Sequence, residues 1–295
     1  MSIEQTVKPR RSVLYMPGSN ARALEKAKSL AADAVILDLE DAVAPDAKEA
    51  ARDQVIAAVK AGGFGGREVI IRANALGTSW GSADLAAIAQ SGADGVLLPK
   101  VESASDIHRA EQTLKNAGAP DSLAIWSMIE TPRAILHLEA IADASERQKV
   151  WVMGTNDLVK DMQAQFVPGR SPLLPILTFA VLAGRAAGLT LLDGVYNDIK
   201  DADGFAAECR QGLNMGFDGK TLIHPSQLAP ANETFAPTAD EVTFAKQVIA
   251  AFEAPEATGK GVLKVEGKMV ELLHRDQALR TVKIADAIAQ QEGAG

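Results

Sequence analysis

Short apolar runs alternate with amphipathic stretches over most of this sequence. Eight runs, several of them almost wholly apolar, predict β-strands at 12–17, 34–39, 68–73, 95–98, 123–129, 150–153, 189–194 and 220–223. Apolar residues spaced at i, i+3 and i+4 predict helices after these strands, at 21–32, 45–61, 83–92, 104–117, 132–141, 173–187, 205–215 and 239–252. Strands that are apolar on both faces are typical of a parallel sheet covered by helices.

The strict alternation favours a closed (β/α)₈ barrel over an open sheet, and residues 1–252 supply enough chain for one such barrel. No G-x-G-x-x-G loop follows the first strand, which argues against a dinucleotide-binding fold. The remaining residues, 253–295, contain a short apolar run at 262–270 and a predicted helix at 275–290. This segment is too short for an independent domain, so we expect a C-terminal helical lid or an oligomerisation arm.

The composition narrows the class of function. Of the 295 residues, 47% are hydrophobic and 23% are charged, which is ordinary for a soluble globular enzyme. The net charge of −8 argues against nucleic-acid binding, and no apolar run approaches the ~20 residues that cross a membrane. The polar N-terminal residues 1–12 predict no signal peptide. The single cysteine, Cys209, fits the reducing cytoplasm, and we expect it to lie on a helix face rather than act as a nucleophile.

The candidate chemistry lies where the predicted strands end, because the active site of such a barrel is at the carboxyl ends of its strands. The polar residues expected there are Asp38, Glu40, Asp41, Arg72, Asn74, Lys100, Glu130, Asn156, Asp157, Asp193 and His224. Glu130 and Asp157 follow neighbouring strands, and two converging carboxylates need a positive charge between them. A Mg²⁺ ion would supply it; the alternatives are ion pairs with Lys or Arg, or capping of the next helix by Glu130.

The second and third strands add further charges. Asp38 and Glu40 are two residues apart in a strand and therefore share a face. They either hydrogen-bond to waters on a metal ion or form a structural ion pair with Lys100 or Arg72. Arg72 lies in an otherwise apolar strand, and its partner is Asp38, Glu40 or a substrate carboxylate, which the spacing does not separate. His224, taken alone, is more typical of a hydrogen-bonded structural residue.

Seven segments, in order along the chain, match one known family. They are RRSVLYMPGSN, VILDLEDAVAPDAKEAAR, IIRAN, LLPKVES, MIETPRAI, GTNDL and GFDGKTLIHPSQL. With these segments the chain resembles the citrate lyase β-subunit-like family, which includes malyl-CoA and citramalyl-CoA lyases and belongs to the HpcH/HpaI aldolase group. The resemblance implies a (β/α)₈ barrel with a C-terminal lid, assembled as a homotrimer or hexamer.

The resemblance also implies roles for individual residues. The implied Mg²⁺ ligands are Glu130 and Asp157, and the α-keto acid is bound by Arg72. The other acidic positions in the catalytic site are Asp38 and Glu40. Backbone N–H groups suited to a substrate carboxylate belong to Gly154, Thr155 and Asn156. The positions near the CoA are Arg11, Lys48 and His224.

The C-terminal segment, residues 253–295, contains a further candidate for acid–base catalysis. GKMVELLHRDQA, at 267–278, resembles the family's lid pattern, in which a neighbouring subunit supplies an acid and base; the matching residue here is Glu271, where the family has Asp. The implied reaction is Mg²⁺-dependent C–C cleavage of malyl-CoA or citramalyl-CoA to acetyl-CoA and glyoxylate or pyruvate, with Glu271 protonating the enolate. Lys100 is then a charge partner rather than a Schiff-base nucleophile. The alternatives are a citrate lyase β subunit that releases oxaloacetate from a citryl-carrier protein, a malyl-CoA thioesterase, and a silent binding module.

Overall fold

A closed ring of eight parallel strands forms the centre of the protein. The computed structural model describes residues 8–293. The strands are β1 (Ser12–Pro17), β2 (Ala34–Asp38), β3 (Glu68–Arg72), β4 (Gly95–Leu98), β5 (Ala124–Ile129), β6 (Gln148–Met153), β7 (Thr190–Asp193) and β8 (Gly219–Leu222). Each strand pairs in parallel with the next, and β1 pairs with β8 to close the ring. The predicted (β/α)₈ barrel is therefore confirmed, and every predicted strand overlaps an observed one.

Helices connect the strands. They are α1 (Ala21–Ala27), α2 (Lys48–Ala61), α3 (Gly81–Ala89), α4 (Ala104–Asn116), α5 (Pro132–Leu136), α6 (Leu138–Ala142), α7 (Thr155–Asp161), α8 (Leu174–Ala186), α9 (Ala202–Met215) and α10 (Leu228–Phe235). The predicted helix at 132–141 is interrupted at His137, whose φ of −123° leaves the helical region. The sequence missed α7 and α10, because two helical turns are too short to display an amphipathic period. Across residues 8–293, no helix has both the length and the apolar character that crossing a bilayer needs.

Alternation along the strands separates two apolar layers. The inner core, inside the barrel, consists of Val13, Ala34, Ile36, Ile70, Leu97, Trp126, Met128, Val150, Val152 and Leu192. The intervening strand residues contribute to the larger outer core, together with apolar residues of the surrounding helices. Since side chains alternate along a strand, the inward row continues two residues further to Asp38, Arg72 and Glu130. The polar site is therefore formed by the last inward-facing positions of the strands whose earlier inward-facing residues fill the barrel.

A second compact unit begins at Ala236. It contains α11 (Ala239–Glu253), the antiparallel strands β9 (Val262–Val265) and β10 (Lys268–Glu271), and α12 (Leu272–Gly293). Its small core consists of Ala245, Val248, Val265, Val270 and Ala278. The contacts of α11 group it with this unit, whereas the predicted division follows residue 252. That this unit serves as a lid or an oligomerisation arm stays a prediction.

Candidate active site

Arg72 holds one half of the site at the carboxyl ends of β2 and β3. Its Nε and Nη2 atoms each lie 2.6 Å from an oxygen of Asp38, which makes a bidentate pair. Its Nη1 atom lies 2.8 Å from Oε2 of Glu40 and 3.3 Å from Asp41. The carbon of the guanidinium lies 5.0 Å from the ring centre of Tyr15, which the sequence analysis did not single out. Of the partners that the sequence left open for Arg72, the structure contains both Asp38 and Glu40.

Asp38 serves as a fixed support for this arginine. Besides the two bonds to Arg72, its carboxylate accepts hydrogen bonds from the backbone N–H groups of Glu40 (2.8 Å) and Ala42 (3.0 Å). Asp38 is also buried. A carboxylate with four donors around it has no free position for a transferred proton, so Asp38 orients Arg72 and the turn that carries Glu40.

Glu40 has the opposite character. Burial raises the pKa of Glu40 to about 7, and the neighbouring carboxylates add to this effect against the influence of Arg72. A carboxyl group that titrates near neutral pH is suited to accept and return a proton during catalysis. Two acids of one short segment therefore differ in what they can do, because their surroundings differ.

Glu130 forms the centre of the other half of the site. Its side chain is fully buried directly after β5, and burial raises the pKa of its carboxyl group. Oε1 accepts a hydrogen bond of 2.7 Å from the backbone N–H of Lys100, whereas Oε2 is buried without a hydrogen-bond partner among the described residues. Gly154 makes room for this side chain, since a Cβ at that position would collide with the Cβ of Glu130. The glycine of the GTND segment is thus required by the neighbouring glutamate.

Asp157 and Glu130 meet around one ammonium group. Asp157 lies in the first turn of α7, and its Oδ1 is 2.7 Å from Nζ of Lys100. The same Nζ lies 3.6 Å from Oε2 of Glu130. The structure therefore brings the two predicted metal ligands together, and it identifies Lys100 as the charge partner of both. For Asp38 and Glu40 the sequence left Lys100 and Arg72 open as ion-pair partners, and the structure shows Arg72.

The residues present fit a Mg²⁺ ion. This ion commonly takes one or two carboxylates from a protein and completes its octahedron with water and substrate oxygens. Oε2 of Glu130 has no hydrogen-bond partner among the described residues, and the ammonium that pairs with Asp157 is 3.6 Å from it, so a cation bound directly to this oxygen would satisfy it. Among residues 8–293, no three or more His, Cys, Asp or Glu side chains are grouped to hold a metal ion, so water and substrate would supply the remaining ligands.

The GTND turn after β6 is held in place by its neighbours. Thr155 is buried, and a Cβ at Gly194 would collide with its hydroxyl group. The side-chain amides of Asn156 and Asn197 exchange two hydrogen bonds, of 3.1 and 2.8 Å. No local pattern marked Asn197, because the pair joins the first turn of α7 to a loop after β7 that is far away in sequence. Substrate binding by Gly154, Thr155 and Asn156 stays a prediction.

The structure does not bring Arg11 to this site. Arg11 precedes β1 and therefore lies at the amino end of the barrel, where its buried side chain pairs with Asp33 at 2.9 Å. Lys48 does lie near the site, but its Nζ donates hydrogen bonds to the backbone carbonyls of Leu39 (3.0 Å) and Glu40 (2.7 Å). This ammonium is buried and supports the turn after β2, so it is not presented to a CoA phosphate.

His224 and Glu271 have local partners. Nδ1 of His224 accepts a hydrogen bond of 3.2 Å from the backbone N–H of Ser226, so the exposed imidazole caps the turn at 225–227. This is the structural role that the sequence favoured for a lone histidine. Glu271 is exposed at the end of β10, and its backbone N–H donates to Nδ1 of His274 at 2.9 Å. The acid–base role of Glu271 stays a prediction.

The fold and the site define an α/β-barrel enzyme with an acidic centre at the carboxyl ends of its strands. The chain belongs to the HpcH/HpaI aldolase/citrate lyase family, which matches residues 11–225. The family resemblance found in the sequence segments is therefore confirmed.

Individual relatives cover nearly the whole chain. A (3S)-malyl-CoA thioesterase of Cereibacter sphaeroides is 50% identical over 281 residues, covering 95% of this chain and 96% of that protein. The citrate lyase subunit beta of Escherichia coli is 37% identical over 273 residues, covering 91% and 90%. The crystal structure of CitE from Mycobacterium tuberculosis in complex with magnesium, acetoacetate and coenzyme A is 29% identical, with a TM-score of 0.74 and coverage of 94% and 99%.

Proposed function

We propose that this protein hydrolyses a malyl-type CoA thioester in a Mg²⁺-dependent reaction. The observation that carries the proposal is the pairing of Glu130 and Asp157 around a single positive charge, with one buried glutamate oxygen left without a hydrogen-bond partner among the described residues. The 50% identity to a (3S)-malyl-CoA thioesterase favours hydrolysis over the C–C cleavage expected from the sequence. Hydrolysis was one of the alternatives that the sequence left open.

Three parts of the site would act on the substrate: the metal-holding carboxylates, Arg72 and Glu40. Glu130 and Asp157 would hold Mg²⁺, which would supply Lewis-acid positive charge to oxygens of the substrate. Arg72 would place the charge of Nη1, which pairs with Glu40 rather than Asp38, near an oxygen that becomes negative in the transition state.

Glu40 is the candidate base. In hydrolysis, water adds to the thioester carbonyl carbon, the C–S bond breaks, and the sulfur leaves as the thiol of CoA. Glu40 would take the proton from that water and return it to the departing sulfur, a role that a pKa of about 7 suits. Burial raises the pKa of the Cys209 thiol to about 12, which makes this buried cysteine unsuited to attack the thioester.

The second candidate is the C–C lyase reaction, on malyl-CoA or citramalyl-CoA or on a citryl-carrier protein. The observation that favours it is the 37% identity to the citrate lyase subunit beta of Escherichia coli. The same Glu130 and Asp157 would hold the metal ion, while Glu271, supplied by a neighbouring subunit of a trimer or hexamer, would protonate the acyl-thioester enolate. Glu271 is one methylene longer than the family's aspartate and offers the same carboxyl chemistry.

One assay separates the two reactions. The purified protein is incubated with malyl-CoA and with citramalyl-CoA, in Mg²⁺ and in EDTA, while free thiol and keto acid are followed separately. We expect Mg²⁺-dependent thiol from malyl-CoA without a matching keto acid. Keto acid without thiol would replace the main proposal by the lyase reaction, and no product from either substrate would favour a carrier-bound substrate.

A further inference from the structure

The ammonium of Lys100 lies between the two carboxylates that would hold a metal ion. Its Nζ lies 2.7 Å from Oδ1 of Asp157 and 3.6 Å from Oε2 of Glu130. Mg²⁺ binds carboxylate oxygens at about 2.0–2.1 Å, closer than an ammonium does. An ion that draws these two carboxylates together would use the same oxygens and would also repel the ammonium. The two cations would therefore compete for one pair of carboxylates.

We propose that Lys100 is an internal competitor for the metal site: its ammonium neutralises Glu130 and Asp157 in the metal-free protein and is displaced when a divalent cation binds. This inference rests on the metal site of the proposed function. The inference adds that the affinity for the divalent cation depends partly on the cost of displacing the Lys100 ammonium. The consequence is a site that holds Mg²⁺ reversibly and remains folded without it, since the buried carboxylate of Glu130 keeps a positive neighbour in both states.

The backbone at Lys100 supports a role for this side chain. Its φ of +52° lies in the left-handed region, which glycine adopts more readily than lysine. This conformation places the backbone N–H of Lys100 at 2.7 Å from Oε1 of Glu130. Glycine would provide that N–H at lower conformational cost. A lysine held there at a cost points to a function of its ammonium, as strained residues often do at functional sites.

The geometry of Lys100 suits neutralisation of the two acids. Its single ammonium lies within ion-pair distance of a carboxylate oxygen of both Asp157 and Glu130.

Lys160 provides a matched control. Its Nζ lies 4.0 Å from the same Oδ1 of Asp157, one turn along α7, but its side chain is 78% exposed. Lys160→Met and Lys100→Met remove the same charge near the same carboxylate, yet only Lys100 stands between Asp157 and Glu130. Methionine keeps the length of the lysine stem and, like lysine, carries a Cβ at position 100, so the backbone strain there is unchanged.

The test is a titration of the metal-free full-length proteins with Mn²⁺, followed by electron paramagnetic resonance without substrate. We expect Lys100→Met to bind Mn²⁺ at least tenfold more tightly than the wild type, about 1.4 kcal/mol. Lys160→Met should change the affinity less than threefold, and Lys100→Arg, which keeps a cation, should remain close to the wild type. Circular dichroism checks that each variant is folded.

The inference is overturned if Lys100→Met binds Mn²⁺ no more tightly than the wild type, or if Lys160→Met gains as much. Glu130→Gln separates this failure from that of the metal site itself. When Glu130→Gln loses Mn²⁺ binding but Lys100→Met gains none, the site stands and the competition is refuted. When Glu130→Gln binds Mn²⁺ like the wild type, both the site and the competition fall.

Discussion

Two clusters of buried and half-buried charge in the barrel differ in their balance. The mouth cluster, at the carboxyl ends of the strands, consists of Asp38, Glu40, Arg72, Lys100, Glu130 and Asp157. The wall cluster, where β7 and β8 meet α9 and the segment before α8, consists of Arg170, Asp193, Glu208 and Lys220. In the wall cluster, Lys220 is fully buried, 2.9 Å from Asp193 and 2.7 Å from Glu208, and Arg170 lies 2.7 Å from Asp193.

The two clusters shift the pKa values of their carboxyl groups in opposite directions. In the wall cluster, two bases balance two acids, and despite complete burial Lys220 and Arg170 hold the pKa of Asp193 below its usual value. In the mouth cluster, four acids face two bases, and burial raises the pKa of both Glu40 and Glu130. A balanced cluster is a structural element, whereas a cluster with excess acid and raised pKa values is arranged for a further cation or a proton.

The largest effect should come from Glu130→Gln in the mouth cluster. Removing one of two metal ligands should lower the Mg²⁺-dependent turnover of malyl-CoA more than 1000-fold, a loss of about 4 kcal/mol of transition-state stabilisation. The free energy of unfolding should stay the same or rise, because burial disfavours the charged form of Glu130 and one of its two oxygens, Oε2, has no hydrogen-bond partner among the described residues. Turnover and urea unfolding are measured together. Turnover within tenfold of the wild type would remove Glu130 from the metal site.

The reverse pattern is expected for Lys220→Met in the wall cluster. This change leaves Asp193 and Glu208 with one base between them, and breaking a buried ion pair typically costs about 3–5 kcal/mol of unfolding free energy. The Mn²⁺ affinity of the folded protein should be unchanged. Urea unfolding of this variant beside Lys160→Met, which removes an exposed charge, checks the value. A loss below about 1 kcal/mol, or a weakened Mn²⁺ site, would contradict the division between the clusters.

The sequence predicted these two clusters unequally. Every acid of the mouth cluster could be found because it lies at, or within four residues of, the carboxyl end of an apolar strand, and strand ends converge in a barrel. The wall cluster was missed apart from Asp193, since Arg170, Glu208 and Lys220 come from a turn, a helix and a strand that meet only after folding. The position of the Lys100 ammonium depends on the positive φ of this residue. No residue type in the LLPKVES segment indicates that a positive φ occurs there. The sequence pattern thus predicts that the polar residues at the strand ends lie close together. It does not predict which of them form ion pairs, because that depends on distances in the folded protein.

The smallest effect concerns the pH dependence that Glu40 gives to the mouth cluster. Because folding raises the pKa of Glu40 from 4.5 to about 7, its contribution to stability is complete below pH 4.5 and is lost as the pH rises through 7. The side chain in Glu40→Gln does not titrate, so the variant does not lose this contribution as the pH rises. Relative to the wild type, the free energy of unfolding of the variant should therefore increase by roughly 2–3 kcal/mol from pH 5 to pH 8. Urea unfolding in EDTA across this range measures the difference, with Glu49→Gln, on the exposed side of α2, as the matched control. A difference that stays constant with pH would mean that Glu40 is as well balanced as the acids of the wall cluster, and the contrast would then rest on Glu130 alone.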